Sequence, residues 1–246
     1  MLAILTAMPQ ELEHLAGLVE NRVSVPVAGS EVTRGTLWGQ DVLLAFSRWG
    51  KVAAAISASA VLATHRPSRV LFSGIAGSLR DDLAVGDIVV ARRLYQHDLD
   101  ASPFFPPTHV PLLNLSALPT DDASSKELHA AAEVFLAEDF EGALGSFADR
   151  LNPPRRSVHA DVATGDVVVA SRDLKTRVRR VVPTAACVEM EGAAVAQACH
   201  AFGVPFVCMR VISDTADERV HQEDVMTMAA IAGKYTAGVL KRWMLG

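Results

Sequence analysis

Short apolar runs alternate with amphipathic stretches along the chain, a pattern that predicts strands feeding helices. The first apolar run covers residues 2–6, and an amphipathic helix is predicted over 9–20 with Pro9 in its first turn. Strands are predicted over 23–27, 32–37 and 41–47, an Ala-rich helix over 50–65 stopped by Pro67, and strands over 69–73 and 86–92. Residues 101–120 carry five prolines and little periodicity, and read as a long ordered loop or a lid. A helix is predicted over 124–138 with Ser124 or Ser125 as N-cap. Strands follow over 159–163 and 167–169, then a basic helix over 171–180. A short strand over 185–188 turns directly into a helix over 191–202, which stops at Gly203. An apolar strand over 205–212 and a terminal helix over 222–244 complete the pattern. No repeat, low-complexity segment or long linker divides the chain. The order predicts one α/β domain, 1–246, of three layers: a mixed, twisted sheet with helices on both faces.

The bulk numbers narrow the class of function. A chain of 246 residues, half of them hydrophobic, builds a core without disulfides or metals. The net charge is −5 and no Lys/Arg run occurs, so no nucleic-acid partner is expected. The three cysteines, Cys187, Cys199 and Cys208, lie in apolar stretches without zinc-ligand spacing and read as buried thiols. The N-terminus lacks a basic region and meets Pro9 and Glu11 too soon for a signal peptide. No uncharged apolar run reaches about 18 residues. A cytoplasmic protein with no membrane partner is expected.

In open α/β sheets, ligands bind beyond the carboxyl ends of the strands. Four predicted strand ends offer chemistry: Ala7 to Glu11, Gly74 to Ser78, Glu189 to Gly192, and Ser213 to Asp217. Gly74 and Gly77 read either as a tight turn or as a place where free N–H groups meet a ligand. Alternation puts Glu189 and Glu191 on one side of an extended segment. They read as acids favoured at a helix start or as acceptors for vicinal sugar hydroxyls. Arg210 and Asp214 bracket the end of the most apolar strand, as an internal ion pair or as site residues. His14, His65, His129 and His200 fall in predicted helices with no metal-ligand spacing, so no metal is expected. His97, just after a strand, is a better candidate for a site rim. No Ser-His-Asp elbow and no Gly-Lys-Ser/Thr phosphate loop is present.

Several of these tracts resemble a known family. Gly50-Lys51-Val52-Ala53-Ala54-Ala55, Ser73-Gly74-Ile75-Ala76-Gly77-Ser78, Val85-Gly86-Asp87-Ile88-Val89-Val90, Val188-Glu189-Met190-Glu191 and Arg210-Val211-Ile212-Ser213-Asp214 are similar to the nucleoside phosphorylase/nucleosidase superfamily. Within it they resemble bacterial 5′-methylthioadenosine/S-adenosylhomocysteine nucleosidases, in the same order up to about Asp217. The resemblance implies a mixed, partly barrel-like sheet, a small-molecule nucleoside substrate, no cofactor, and a homodimer in which loops of one subunit close the other's site. It also implies roles. Asp214 protonates N7 of the departing purine and Ser213 orients it. Glu191 grips ribose hydroxyls above Met190. Glu11 holds the attacking water beside Arg210. Glu189, Ala76, Gly77, Val169 and Met8 complete the expected substrate-binding set, with Val168 and Trp49.

Breaking a C1′–N bond builds positive charge on the sugar and negative charge on the base, so an acid on one side and a water-holding carboxylate on the other fit the transition state. Asp214 is then expected to have a raised pKa and Glu11 to stay ionised, while Glu191 steadies the cationic sugar. The chain departs from the family pattern at four places. Ile75 replaces a Ser or Thr. Val168 stands where an aromatic ring usually stacks on adenine. Trp49 replaces a smaller aliphatic residue. The segment after Asp217 lacks a frequent phenylalanine. Three alternatives stay open: a phosphate-dependent phosphorylase, for which Arg48 and Arg80 are the available cations; a hydrolase of a futalosine- or adenosylhopane-like nucleoside; and a non-catalytic nucleoside-binding member. Pro9-Gln10-Glu11, where phosphorylases place an arginine after the first strand, favours water over phosphate.

Overall fold

The computed structural model describes residues 1–151, 155–217 and 222–246. Its elements run β1 (Leu2–Thr6), α1 (Pro9–Leu18), β2 (Glu20–Val27), β3 (Ser30–Leu37), β4 (Gln40–Phe46), α2 (Lys51–His65), β5 (Arg69–Ser78), β6 (Ile88–Gln96) and β7 (Leu118–Pro119). Then come α3 (Asp122–Val134), α4 (Phe140–Leu144), β8 (Ser157–Thr164), α5 (Arg172–Val181), β9 (Ala185–Glu189), α6 (Gly192–Phe202), β10 (Phe206–Asp214) and α7 (Gln222–Leu245). All the strands join one sheet. Part of it closes on itself through β10, β6, β8, β9 and β5, with β5 pairing back to β10. From β5 the sheet continues open through the parallel strands β1 and β4 to the antiparallel β3 and β2. The expected mixed, partly barrel-like sheet is therefore present.

Strand alternation sorts side chains into two cores. Ala3, Leu5, Val70 and Phe72 pack under α2 and α6. Ile4, Leu71 and Leu15 pack on the opposite face with residues of α3 and α7. The central strands therefore carry nearly continuous apolar runs, as strands covered on both faces must.

Several expectations need correction. Gly74 to Ser78 is not a turn after the strand. β5 runs on through it, because β10 pairs along it from Arg210↔Gly74 to Asp214↔Gly77 and β9 pairs Gly77 with Val188. β10 likewise continues through Ser213 and Asp214. Residues 167–169 form no strand despite three valines. The backbone leaves β8 at Thr164 and is tethered sideways: Asp166 N–H donates to Asp98 at 2.8 Å, and Asp166 Oδ1 accepts from Lys51 N–H at 2.7 Å. Neither Ser124 nor Ser125 caps α3. Asp121 does, accepting from Ser124 N–H at 3.0 Å, while Ser125 Oγ donates to Ala91 O at 2.8 Å. The Pro-rich stretch is ordered as turns, with one bridge between Val110 and Leu115 and with β7 against β6. Residues 218–221, in the segment after Asp217 that lacks the family's frequent phenylalanine, lie outside the described residues. No helix among the described residues is long and apolar enough to cross a membrane.

Candidate active site

A cavity of about 470 Å³ lies at the strand ends. It is walled by the residues that follow β1, β4, β8 and β9, by the distal halves of β5 and β10, and by Val225 of α7. Every residue named above as catalytic or substrate-binding lines it. His97 does not. It is packed behind the 165–169 segment, and a Cβ on Gly165 would lie 2.2 Å from its Nε2. Burial holds its pKa below the ordinary imidazole value, with Lys51 acting the same way and Asp98 opposing.

Glu11 is 2% exposed, in the first turn of α1. Its Oε2 accepts from Ala7 and Met8 N–H, both at 3.0 Å, and its Oε1 from Ile75 N–H at 3.1 Å. Burial pushes the carboxyl up, while Arg210 and these backbone donors pull it down. Burial prevails and leaves the pKa raised, although all three hydrogen-bond partners donate and favour the anion. Arg210 is 1% exposed. Its Nη2 donates to Glu189 Oε2 at 2.5 Å and its guanidinium lies 4.3 Å from the centre of the Phe72 ring. Burial works against its charge, but Glu189 and the other acids more than offset that and hold its pKa high. Gly74 makes room between Glu11 and Arg210. A Cβ there would lie 2.6 Å from both Arg210 Nη1 and Glu11 Oε1. Glu11 and Arg210 both line the cavity, so a water bound against them meets a carboxylate and a guanidinium together.

The two glutamates flanking Met190 part company. Glu189 lines the cavity, but its carboxylate is fully engaged. Oε2 accepts from Arg210 and from Glu191 and Gly192 N–H at 3.1 and 2.7 Å, and Oε1 accepts from the Thr164 hydroxyl. It fixes Arg210 and the start of α6 rather than offering free oxygens to a sugar. Glu191, 5% exposed, accepts only from Gly50 N–H, at 2.8 Å through Oε1, and keeps Oε2 unpaired among the described residues. Burial, then the nearby Glu189, pushes its pKa up to about 8.

That shift has a consequence for stability. The folded value of about 8 lies above the unfolded one, near 4.5, so Glu191 favours folding only while protonated. Its contribution is complete at acid pH and is lost as pH rises through that window. Glu191→Gln, which cannot ionise, is expected to melt several degrees above the parent at about pH 9, and the gap to close toward about pH 5. Melting curves of the ligand-free proteins across this range check it; a gap that does not change with pH contradicts it.

Asp214 ends β10. Its Oδ1 accepts from Ala216 N–H at 2.8 Å, and its Oδ2 from the Ser213 hydroxyl at 2.7 Å, as the sequence-based pairing of these two residues anticipates. Gly77 is needed here, since a Cβ on it would lie 2.8 Å from Asp214 Oδ1. Val167 and Val168 are more than two-fifths exposed at the rim, as is Trp49, whereas Val169 is buried. Gly50, Thr164 and Val225 take part in the site without having been anticipated. Gly50 acts through its backbone, Thr164 through Glu189, and Val225 comes from a distant helix, so no local pattern marks them.

Arg210 is the only cation lining the cavity among the described residues, against Glu11, Glu189, Glu191 and Asp214. Arg48 instead donates to Ser30, and Arg80 is held by Asp82 at 2.8 and 2.6 Å. No group of three or more metal-binding side chains occurs among the described residues. The three cysteines are buried and unpaired, and burial pushes the thiols of Cys199 and Cys208 up to about 12, which removes them as nucleophiles.

A β-sheet closed in part, with an acid-lined cavity at its strand ends, defines a class: the chain belongs to the phosphorylase superfamily, whose description matches residues 1–244. It is 34% identical over 216 residues to the 5′-methylthioadenosine/S-adenosylhomocysteine nucleosidase of Shewanella baltica, covering 88% of this chain and 84% of that one. The nucleosidase of the same name from Neisseria meningitidis, solved with methylthio-immucillin-A, superposes with a TM-score of 0.83 at 31% identity over 98% of both chains. Futalosine hydrolase of Helicobacter pylori superposes with a TM-score of 0.82 at 28% identity, over 99% of this chain and 96% of that one.

Proposed function

We propose that the chain is a single-domain N-glycosyl hydrolase that releases adenine from 5′-thio-substituted adenosines of the methylthioadenosine and S-adenosylhomocysteine type. The observation that carries this reading is the meeting of Glu11 and Arg210 over Gly74 in the cavity wall, beside further carboxylates. Arg210 is already paired with Glu189, so the wall offers phosphate no uncommitted cation among the described residues and accommodates a neutral water. The similarity to nucleosidases of that name supports the same substrate class.

In this reading Glu11 takes a proton from the water as its oxygen bonds to C1′. The C1′–N9 electron pair moves onto the purine, and Asp214, held by Ser213, delivers its proton to N7. Glu191 accepts from ribose hydroxyls and faces the cationic sugar, with Met190 beneath it. Arg210, anchored by Glu189, orients the water. Met8, Ala76, Gly77, Val168, Val169 and Trp49 shape the rest of the cavity. Asp214 and Glu11 then exchange protons with solvent, so the net reaction consumes one water and yields neutral adenine and the free sugar. No cofactor is required.

A homodimer and a cytoplasmic location belong to the same proposal. Trp49, Val52 and Ile56, beside and along α2, and Phe104, Phe105, Leu112 and Leu113 of the Pro-rich stretch are exposed. Lys51 of α2 is paired at 2.5 Å with Asp98, just ahead of the Pro-rich stretch. Apolar surface of this kind marks an interface, and a second copy is the occupant the family resemblance supplies.

Adenine release from methylthioadenosine tests the reading, with S-adenosylhomocysteine, a futalosine-type nucleoside and inosine alongside. Release from the first two above the others is expected. A preference for the futalosine-type nucleoside favours the alternative of a futalosine-type hydrolase. No release from any of them overturns the assignment.

A further inference from the structure

Lys175 of α5 is a lysine that the mechanism above does not use and that is nevertheless only 7% exposed. Its Nζ donates to Thr215 O at 2.8 Å, with Asp81 and Asp217 oxygens farther off at 3.8 and 3.9 Å. The C=O of Thr215 and the N–H of Ala216 belong to one peptide group, and that N–H donates to Asp214 Oδ1 at 2.8 Å. We propose that Lys175 is a positioning residue that acts on Asp214 through this single peptide.

The geometry leaves the peptide little freedom. Ala216 is buried with φ at +56°, a left-handed conformation that an L-residue holds only when its surroundings impose it. Its Cβ lies 2.9 Å from where a Cβ on Gly77 would be, so the strand behind it closes the remaining space. Lys175 pulls on the oxygen end of the peptide while Asp214 accepts at the nitrogen end. An ammonium on the carbonyl polarises the amide and strengthens the donor on its other side.

This matters because of what Asp214 does in the proposed reaction, on which the inference rests. With Oδ1 held by the Ala216 N–H, Oδ2 is the oxygen that carries the transferable proton. The Ser213 hydroxyl is then free to accept from it and turn toward Ala76 O, 3.3 Å away. As the proton moves to N7, negative charge grows on the carboxylate, and the Ala216 N–H bond strengthens with the charge of Lys175 behind it. The interaction is therefore worth more in the transition state than in the ground state, which is the condition for raising kcat.

Lys175→Met, which keeps most of the apolar stem, tests this. With methylthioadenosine the expected result is a fall in kcat of about tenfold, smaller than the loss that follows removal of a direct donor, with KM changed less than about twofold. Lys175→Arg should restore most of kcat. A 4-nitrophenyl riboside carrying the same 5′-methylthio group separates this from a structural effect. Nitrophenolate leaves without protonation, so Lys175→Met should turn it over at the parent's rate. Asp214→Asn is the reference. If it slows both substrates equally, the acid assignment fails. If it slows only the purine nucleoside while Lys175→Met slows both or neither, the inference about Lys175 fails and the acid assignment stands. Should the Met variant not fold, Lys175→Gln is judged by the same kcat, KM and leaving-group comparison, and a Lys175→Arg variant that does not regain kcat also overturns it.

Discussion

Asp214→Asn is expected to lower kcat for adenine release by about 10³-fold, within the range a positioned general acid contributes, while a non-hydrolysable nucleoside analogue should bind within a few-fold of the parent. The substitution is nearly isosteric. An Asn oxygen in place of Oδ1 still accepts from Ala216 N–H, and its amide N–H in place of Oδ2 donates to Ser213 Oγ, which has a free acceptor once its own hydroxyl turns to Ala76. What is lost is the ability to give up a proton to the base. Steady-state rates with methylthioadenosine and calorimetric binding of the analogue separate the two effects. A loss under about tenfold would remove Asp214 from the acid's role, because leaving-group protonation is the one task assigned to it.

Glu11→Gln is expected to cost at least as much in rate, and to cost stability as well. The carboxylate oxygens take three backbone N–H groups between them, from Ala7, Met8 and Ile75. An amide has one acceptor oxygen, so its NH₂ group must face at least one of these donors in either orientation, leaving a buried N–H unpaired at about 1–3 kcal/mol. The base that receives the water's proton disappears at the same time, and Arg210 then faces the cavity without the charge of Glu11 beside it. A fall in kcat of about 10³-fold or more, with a lowered melting temperature, is the expected result. Thermal melts and single-turnover rates measure the two consequences on one preparation. Near-parental turnover would mean that the water is activated elsewhere.

Much of this site was legible in the sequence, for a physical reason. Carboxylates and an arginine in or beside apolar strands are costly unless something uses them, and the carboxyl ends of such strands converge at one place in an α/β sheet. Glu11, Glu191, Arg210 and Asp214 announced themselves that way. The sequence was less informative wherever tertiary contacts overrule local preference. Gly74 to Ser78 looks like a turn, yet β10 and β9 hold it extended. Val167 to Val169 has strand composition, yet hydrogen bonds to Asp98 and Lys51 turn the chain aside. Glu189 and Glu191 share one side of an extended segment by alternation, but Arg210 and the start of α6 claim the first and leave the second to the cavity. Lys175 lies in a strongly basic helix among other arginines, and nothing local distinguishes the one cation of that run that reaches Thr215.

The choice between water and phosphate rests on the charge of the cavity wall around Glu11. Arg210 is already committed to Glu189, and neither Arg48 nor Arg80 lines the cavity. An incoming phosphate would meet Glu11 at close range, and Arg210, the one cation lining the cavity among the described residues, already has its charge matched by Glu189. The most direct test is the identity of the sugar released from methylthioadenosine with phosphate in excess. Free 5-methylthioribose, formed at the same rate with and without phosphate, is the predicted result. A 5-methylthioribose 1-phosphate that forms only when phosphate is supplied would contradict the account.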